Sequence, residues 1–129
     1  MSKKIIMAKH NELGQEGERL ARELLEQKDY RILLTNWRHG RAELDIIAQT
    51  GSTLVFVEVK TRTSDAFGQP DEFVSPKKEI LLAGAACAYM EQVNFQGEIR
   101  FDIISVLLPT HGRQQIRHIE DAFFPGIGS

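Results

Sequence analysis

The chain has 129 residues, 42% hydrophobic and 26% charged, the proportions of one ordinary globular domain able to bury its own core. A single cysteine, Cys87, excludes an internal disulfide framework and a multi-cysteine zinc site; in the small-residue run AGAACAYM it reads as an inert buried thiol. Net charge is −2 and pI about 6.1, so binding to a polyanion would have to rely on a local basic patch.

The lysine-bearing start MSKKIIMAKH has no apolar run of signal-peptide length. No later segment approaches the roughly 18 apolar residues of a membrane span, so a cytoplasmic protein without membrane contact is expected. Residues 1–9 read as a flexible N-terminus, 10–122 as one domain and 123–129 as a tail. Leu13, Gly17, Leu20, Ala21, Leu24 and Leu25 recur on one helical face, which predicts an amphipathic helix over roughly 10–28 with Asn11 as its cap. Glu18 lies at the edge of that stripe, where it could reach inward, although most such glutamates are merely solvated. Strands are expected near 30–38, 42–49 and 53–62, parted by the turn signals His39-Gly40 and Thr50-Gly51-Ser52. Asp65–Glu72, with Gly68 and Pro70, reads as a loop. Ser75-Pro76 is an N-cap followed by proline at the first helical position, opening a buried helix from about 76 to 92. Residues 98–108 and 114–120 supply a fourth strand and a weaker fifth. The order α-β-β-β-α-β-β predicts an α/β domain with a mixed central β-sheet flanked by helices.

The hairpin AELDIIAQTGSTLVFVEVKTR, residues 42–62, sets Asp45, Glu58 and Lys60 among residues that belong in a core. Side chains alternate along a strand, so Leu44, Ile46 and Ala48 are expected beside Val55, Val57 and Val59 on one apolar face. Asp45, Glu58 and Lys60 then become neighbours on the other. Burying an unpaired charge costs several kcal/mol in order of magnitude. A structural salt bridge to Lys60 would relieve that cost; so would a divalent metal, which prefers carboxylate oxygens. The pattern alone leaves both open.

Asp45, twelve intervening residues and then Glu58-Val59-Lys60 resemble the PD-(D/E)XK signature of restriction-endonuclease-like nucleases. Gly14-Gln-Glu-Gly17-Glu18-Arg-Leu-Ala21, Asn36-Trp37-Arg38, Glu43-Leu-Asp45-Ile-Ile-Ala48, Leu54 to Arg62, Phe67-Gly68 and Arg100-Phe-Asp102 resemble, in order, the YraN family of small bacterial proteins. Ala42 stands where that family usually has glycine, and Leu44 where the signature names proline. The resemblance implies a restriction-endonuclease-like fold similar to archaeal Holliday-junction resolvases. It implies a metal-dependent endonuclease, using Mg²⁺ or Mn²⁺, that cuts branched or single-stranded DNA and can work as a homodimer. Asp45 and Glu58 would ligate the metal with the Val59 carbonyl, Lys60 would position the attacking water, and Glu18 would add a carboxylate from the first helix.

Other charges extend the picture. Arg38 and Arg41 at the first hairpin tip, with Lys60, Arg62, Lys77 and Lys78, could form a basic rim for phosphates. The alternative is that Trp37 packs in the core and the arginines are solvated. Lys77 and Lys78 oppose the dipole in the first turn of their helix, which hints at a phosphate partner. Glu43 could support the metal ligands or be an exposed strand-end charge, and Asp102 is expected to pair with Arg100. The four histidines show no ligand spacing. Two other classes stay open: a non-catalytic nucleic-acid-binding or protein-adaptor module on a nuclease scaffold, and a structural protein with no nucleic-acid partner.

Overall fold

The computed structural model describes residues 3–63 and 74–124, with side chains from residue 11 onward. The expected loop at Asp65–Glu72 lies outside the described residues. The elements run α1 (Lys3–Gln27), β1 (Arg31–His39), β2 (Ala42–Thr50), β3 (Thr53–Arg62), α2 (Pro76–Val93), β4 (Ile99–Leu107) and β5 (Gln115–Ile119).

Two boundaries differ from expectation. Helix α1 starts at Lys3, so the segment read as a flexible N-terminus is helical from there and Asn11 is no cap. Lys3–Leu13 contains neither glycine nor proline, so nothing in the chain breaks the helix there. At the other end Ala122 donates its N–H to the Phe101 carbonyl at 2.8 Å and Phe123 packs on the Phe101 ring at 5.1 Å, so the domain reaches into the residues read as a tail.

Both helices stop by the same device. Asp29 (φ 66°) and Asn94 (φ 55°) are left-handed, a conformation that Asn and Asp tolerate better than other side chains. The next residue then reaches back five positions, Tyr30 to Leu25 at 2.9 Å and Phe95 to Met90 at 2.8 Å, satisfying carbonyls the helix would leave open. Helix α2 opens as expected, with the Ser75 side chain accepting the Lys78 N–H at 3.2 Å and proline behind it.

The strands form one sheet in the order β1-β2-β3-β4-β5, antiparallel except for the parallel β3–β4 pair that α2 connects. Helix α1 covers one face, packing Leu20, Ala21 and Leu25 on Ile46, Val57 and Ile104. Helix α2 covers the other, packing Leu82, Ala86 and Tyr89 on Phe56, Phe101 and Ile103. Covering the sheet from one side only, it leaves Ile80, Leu81 and Cys87 exposed, so neither the helix nor its thiol is buried as expected. Covered on both faces, β3 is buried continuously from Leu54 to Glu58, which is why its sequence does not alternate in polarity. This is an α/β fold with a mixed sheet between helices, consistent with the expected restriction-endonuclease-like arrangement.

The hairpin register pairs Ile46 with Val57 and Ala48 with Val55, joining those apolar sets as expected. Leu44 departs from it. Together with Ala42 it packs in the α2 layer, while Ile46 packs in the α1 layer, so β2 changes face between them. The change coincides with a break in the β1 ladder, where Thr35 pairs with Ile46 and Trp37 with Leu44 but the intervening Asn36 and Asp45 form no pair; the register shift of these strands lies further back, between Ile32 and Leu34. Asn36 is left-handed at φ 53°, a local twist that interrupts the alternation.

Candidate metal centre

Asp45 sits where the strands part. The β2–β3 ladder ends at Ile46–Val57, and beyond it the Asp45 Oδ2 accepts the Val59 N–H at 2.7 Å. The carboxylate thus takes the place of a strand carbonyl. On β3, the Leu54 N–H bonds to Glu98 and the Arg62 carbonyl accepts from Leu108, so the even-numbered residues face β4. By alternation the Val59 carbonyl shares the side of its N–H and faces β2 and Asp45.

Helix α1 brings Glu18 to the same point through Gly17. A Cβ on Gly17 would lie 1.9 Å from the Thr61 Oγ1 and 2.9 Å from its Cβ, so the helix can approach β3 this closely only without a side chain there. Glu18, Glu43 and Asp45, all half-buried, each place a carboxylate oxygen within 4.8 Å of the other two. Glu43 also takes the Arg38 guanidinium at 3.0 Å. Glu58 is near enough to act on Asp45 by charge. Burial first and Glu58 second push the Asp45 pKa up to about 8; the Val59 N–H opposes this, and Glu18 and Glu43 add to it.

Glu58, only 7% exposed, has a partner that the sequence did not suggest. The Lys78 ammonium, from the first turn of α2, binds its Oε1 at 2.6 Å. Partial burial would lower the Lys78 pKa, but the hydrogen bond and charge of Glu58 carry it above the ordinary lysine value. Lys60 is half-buried and has no ion pair among the described residues, so the compensation expected of it falls to Lys78.

Two cavities flank the cluster and share Glu43. One, about 550 Å³, lies between α1 and β1–β3 and is lined by Asn11, Gln15, Glu18, Asn36 and Arg38. The other, about 300 Å³, lies on the α2 side and is lined by Arg41, Asp45, Glu58, Lys78 and Leu81. Lys77 is exposed and Arg62 half-buried at the end of β3. Trp37 is half-buried in the α2 layer, edge-on to Tyr89 at 5.5 Å, so the core reading of that residue holds.

All the clustered groups are hard oxygen donors, which fits Mg²⁺ or Mn²⁺ and not a soft thiolate-seeking ion. Oxygens bound at about 2.0–2.1 Å lie about 2.9 Å apart when adjacent on the ion and about 4.2 Å apart across it, so the carboxylates would draw closer together on binding. Glu43, read from the sequence either as a support for the metal ligands or as an exposed strand-end charge, stands within the carboxylate group itself. Its signal was its place one pleat from Asp45 on the same strand face, whereas the approach of Glu18 from α1 is not readable from alternation.

A second polar cluster lies away from this site. Asp102, fully buried, accepts both Arg100 Nε and Nη2 at 2.8 Å, as the ion-pair expectation required. It also bonds His118 Nε2 at 2.7 Å and the Asp121 N–H at 3.0 Å, and Arg100 donates to the Tyr30 hydroxyl. His118, to which the sequence assigned nothing, also contacts Lys28 Nζ through Nδ1 at 2.9 Å.

Residues 17–106 match the family described as "Uncharacterised protein family UPF0102", the family that the sequence resembles under the name YraN. The chain is similar to a UPF0102 protein of Christiangramia forsetii, 49% identical over 118 residues that cover 92% of this chain and 98% of that one. It is similar to UPF0102 proteins of Bacteroides thetaiotaomicron, at 46% over 121 residues covering 94% and 99%, and of Porphyromonas gingivalis, at 43% over 118 residues covering 91% and 87%.

Proposed function

The chain belongs to the UPF0102 family, and from that membership and the carboxylate cluster we propose a metal-dependent endonuclease that hydrolyses DNA phosphodiester bonds in branched or single-stranded structures. The observation that carries this reading is the convergence of Glu18, Glu43 and Asp45 beside a buried Glu58. Carboxylates this close repel, and although Arg38 and Lys78 offset part of the charge on Glu43 and Glu58, three elements still bring them together. Glu18, Glu43, Asp45 and the Val59 carbonyl would hold Mg²⁺ or Mn²⁺, with Glu58 completing the set. Such an ion supplies charge to polarise the phosphodiester and lowers the pKa of water. Lys60 would orient the attacking water and counter the charge that builds on the phosphate. Arg38, Arg41, Arg62, Lys77 and Lys78 would contact neighbouring phosphates and so make binding salt-sensitive. Two copies related by a two-fold axis would place two such sites for paired cuts.

One observation favours a second reading, an adaptor module without catalysis: Lys78 already satisfies Glu58 with no metal needed. Cleavage of labelled duplex, single-stranded, flap and four-way-junction DNA in Mg²⁺, Mn²⁺ or EDTA separates the two readings. Metal-dependent cutting that is lost in Glu58→Ala and Lys60→Ala is the expected result. No cutting, with tight binding unchanged by Glu58→Ala, would establish the adaptor instead.

A further inference from the structure

The Glu58–Lys78 pair joins unequal partners. The Glu58 carboxylate is 8% exposed and fixed on the central strand, whereas the Lys78 side chain is 45% exposed on a flexible stem at the start of α2. Both line the same cavity, together with Asp45 and Arg41. A dication between Asp45 and Glu58 would repel the ammonium now bonded to Glu58. The carboxylate cannot follow, so the lysine has to move. Its side chain is 45% exposed and shares the cavity lining with Arg41, a second cation, so solvent and a phosphate can reach it there.

We propose that Lys78 is a stand-in cation: it neutralises Glu58 while the site lacks metal, and metal loading releases it to hold a phosphate of the substrate at the cavity mouth. The inference rests on the metal-site reading above. It accounts for a lysine placed against the dipole in the first turn of α2, where a cation is otherwise unfavourable. It also makes metal and phosphate binding cooperative, since the group that competes for the first serves the second.

The test is titration of the full chain with Mn²⁺ alone, in wild type, Lys78→Met, Lys78→Arg and Lys77→Met. Removing the competing ammonium in Lys78→Met should tighten Mn²⁺ binding about fivefold, the size set by a partly exposed ion pair. Lys78→Arg, which keeps the charge, and Lys77→Met, which removes an exposed neighbour, should stay near wild type. In Ca²⁺ the same Lys78→Met protein should bind a labelled single-stranded oligonucleotide more weakly than wild type, with a shallower salt dependence. Unchanged or weaker Mn²⁺ binding in Lys78→Met, beside a wild type that binds, overturns the proposal and leaves the metal site standing. Tighter Mn²⁺ binding with unchanged oligonucleotide affinity overturns the hand-over to phosphate. If neither protein binds Mn²⁺, the metal-site reading falls and takes this proposal with it.

Discussion

Asp45 carries the cost of the site. Its carboxyl is pushed from an ordinary value near 3.8 to about 8, by burial first and then by the charge of Glu58. Between those values the folded protein holds a proton that the unfolded chain has released, so this group makes stability fall as pH rises from about 4 to 8. Asp102 has the opposite sign. Burial would raise its pKa, but bonds from His118 and Arg100 outweigh that and lower it, so its contribution is present above the ordinary carboxylate pKa and is lost as pH falls below it. Urea denaturation in EDTA should therefore show the metal-free wild type weakening from pH 5 to pH 8, and Asp45→Asn should flatten that decline. A decline of equal slope in the variant would assign it to another group. Mn²⁺ binding should strengthen over the same range, because the ion competes with the proton.

At the level of elements, two small features aim the carboxylates. Gly17 lets α1 lie against Thr61, and the left-handed Asn36 turns β2 so that Leu44 and Ile46 enter opposite layers with Asp45 between them. Gly17→Ala gains up to about 1 kcal/mol of helix propensity but inserts a methyl where Thr61 must yield, at a typical cost of about 1–3 kcal/mol. A net loss of about 1 kcal/mol is expected in urea denaturation. Weaker Mn²⁺ binding should accompany it, because Glu18 moves with the helix. Unaltered stability and Mn²⁺ affinity would mean that the close approach is not what sets the cluster. The elements themselves were legible, since hydrophobic period and turn residues located every strand and both helices. The twist at Asn36 was not, because a one-residue irregularity leaves composition unchanged and is decided by pairing with a strand elsewhere in the chain.

On the scale of the whole molecule, the polar cluster around Asp102 joins the end of α1 to β4 and β5. Tyr30 follows α1, Arg100 and Asp102 lie on β4, and His118 lies on β5. Removing the acceptor strands Arg100 and His118 beside a fully buried position, so Asp102→Ala should cost about 3–5 kcal/mol. Equilibrium denaturation measures this, and the Mn²⁺ affinity of the folded variant should be unchanged. A loss below about 1 kcal/mol would show that water or rearrangement satisfies these groups.

Periodicity and turn residues determined the α/β class, the element order and the pairing of Ile46 and Ala48 with Val57 and Val55, because each follows from side chains three or four residues apart on a helix or two apart on a strand. The ordered motif blocks also carried the family. Which carboxylates meet, and which lysine answers Glu58, was decided only by the tertiary structure. Glu18 and Glu43 stand 25 residues apart in the chain, on different elements, and Lys78 stands 20 residues beyond Glu58. Local sequence preference acts over a few residues, whereas a charge responds to whatever packing brings within a few ångströms.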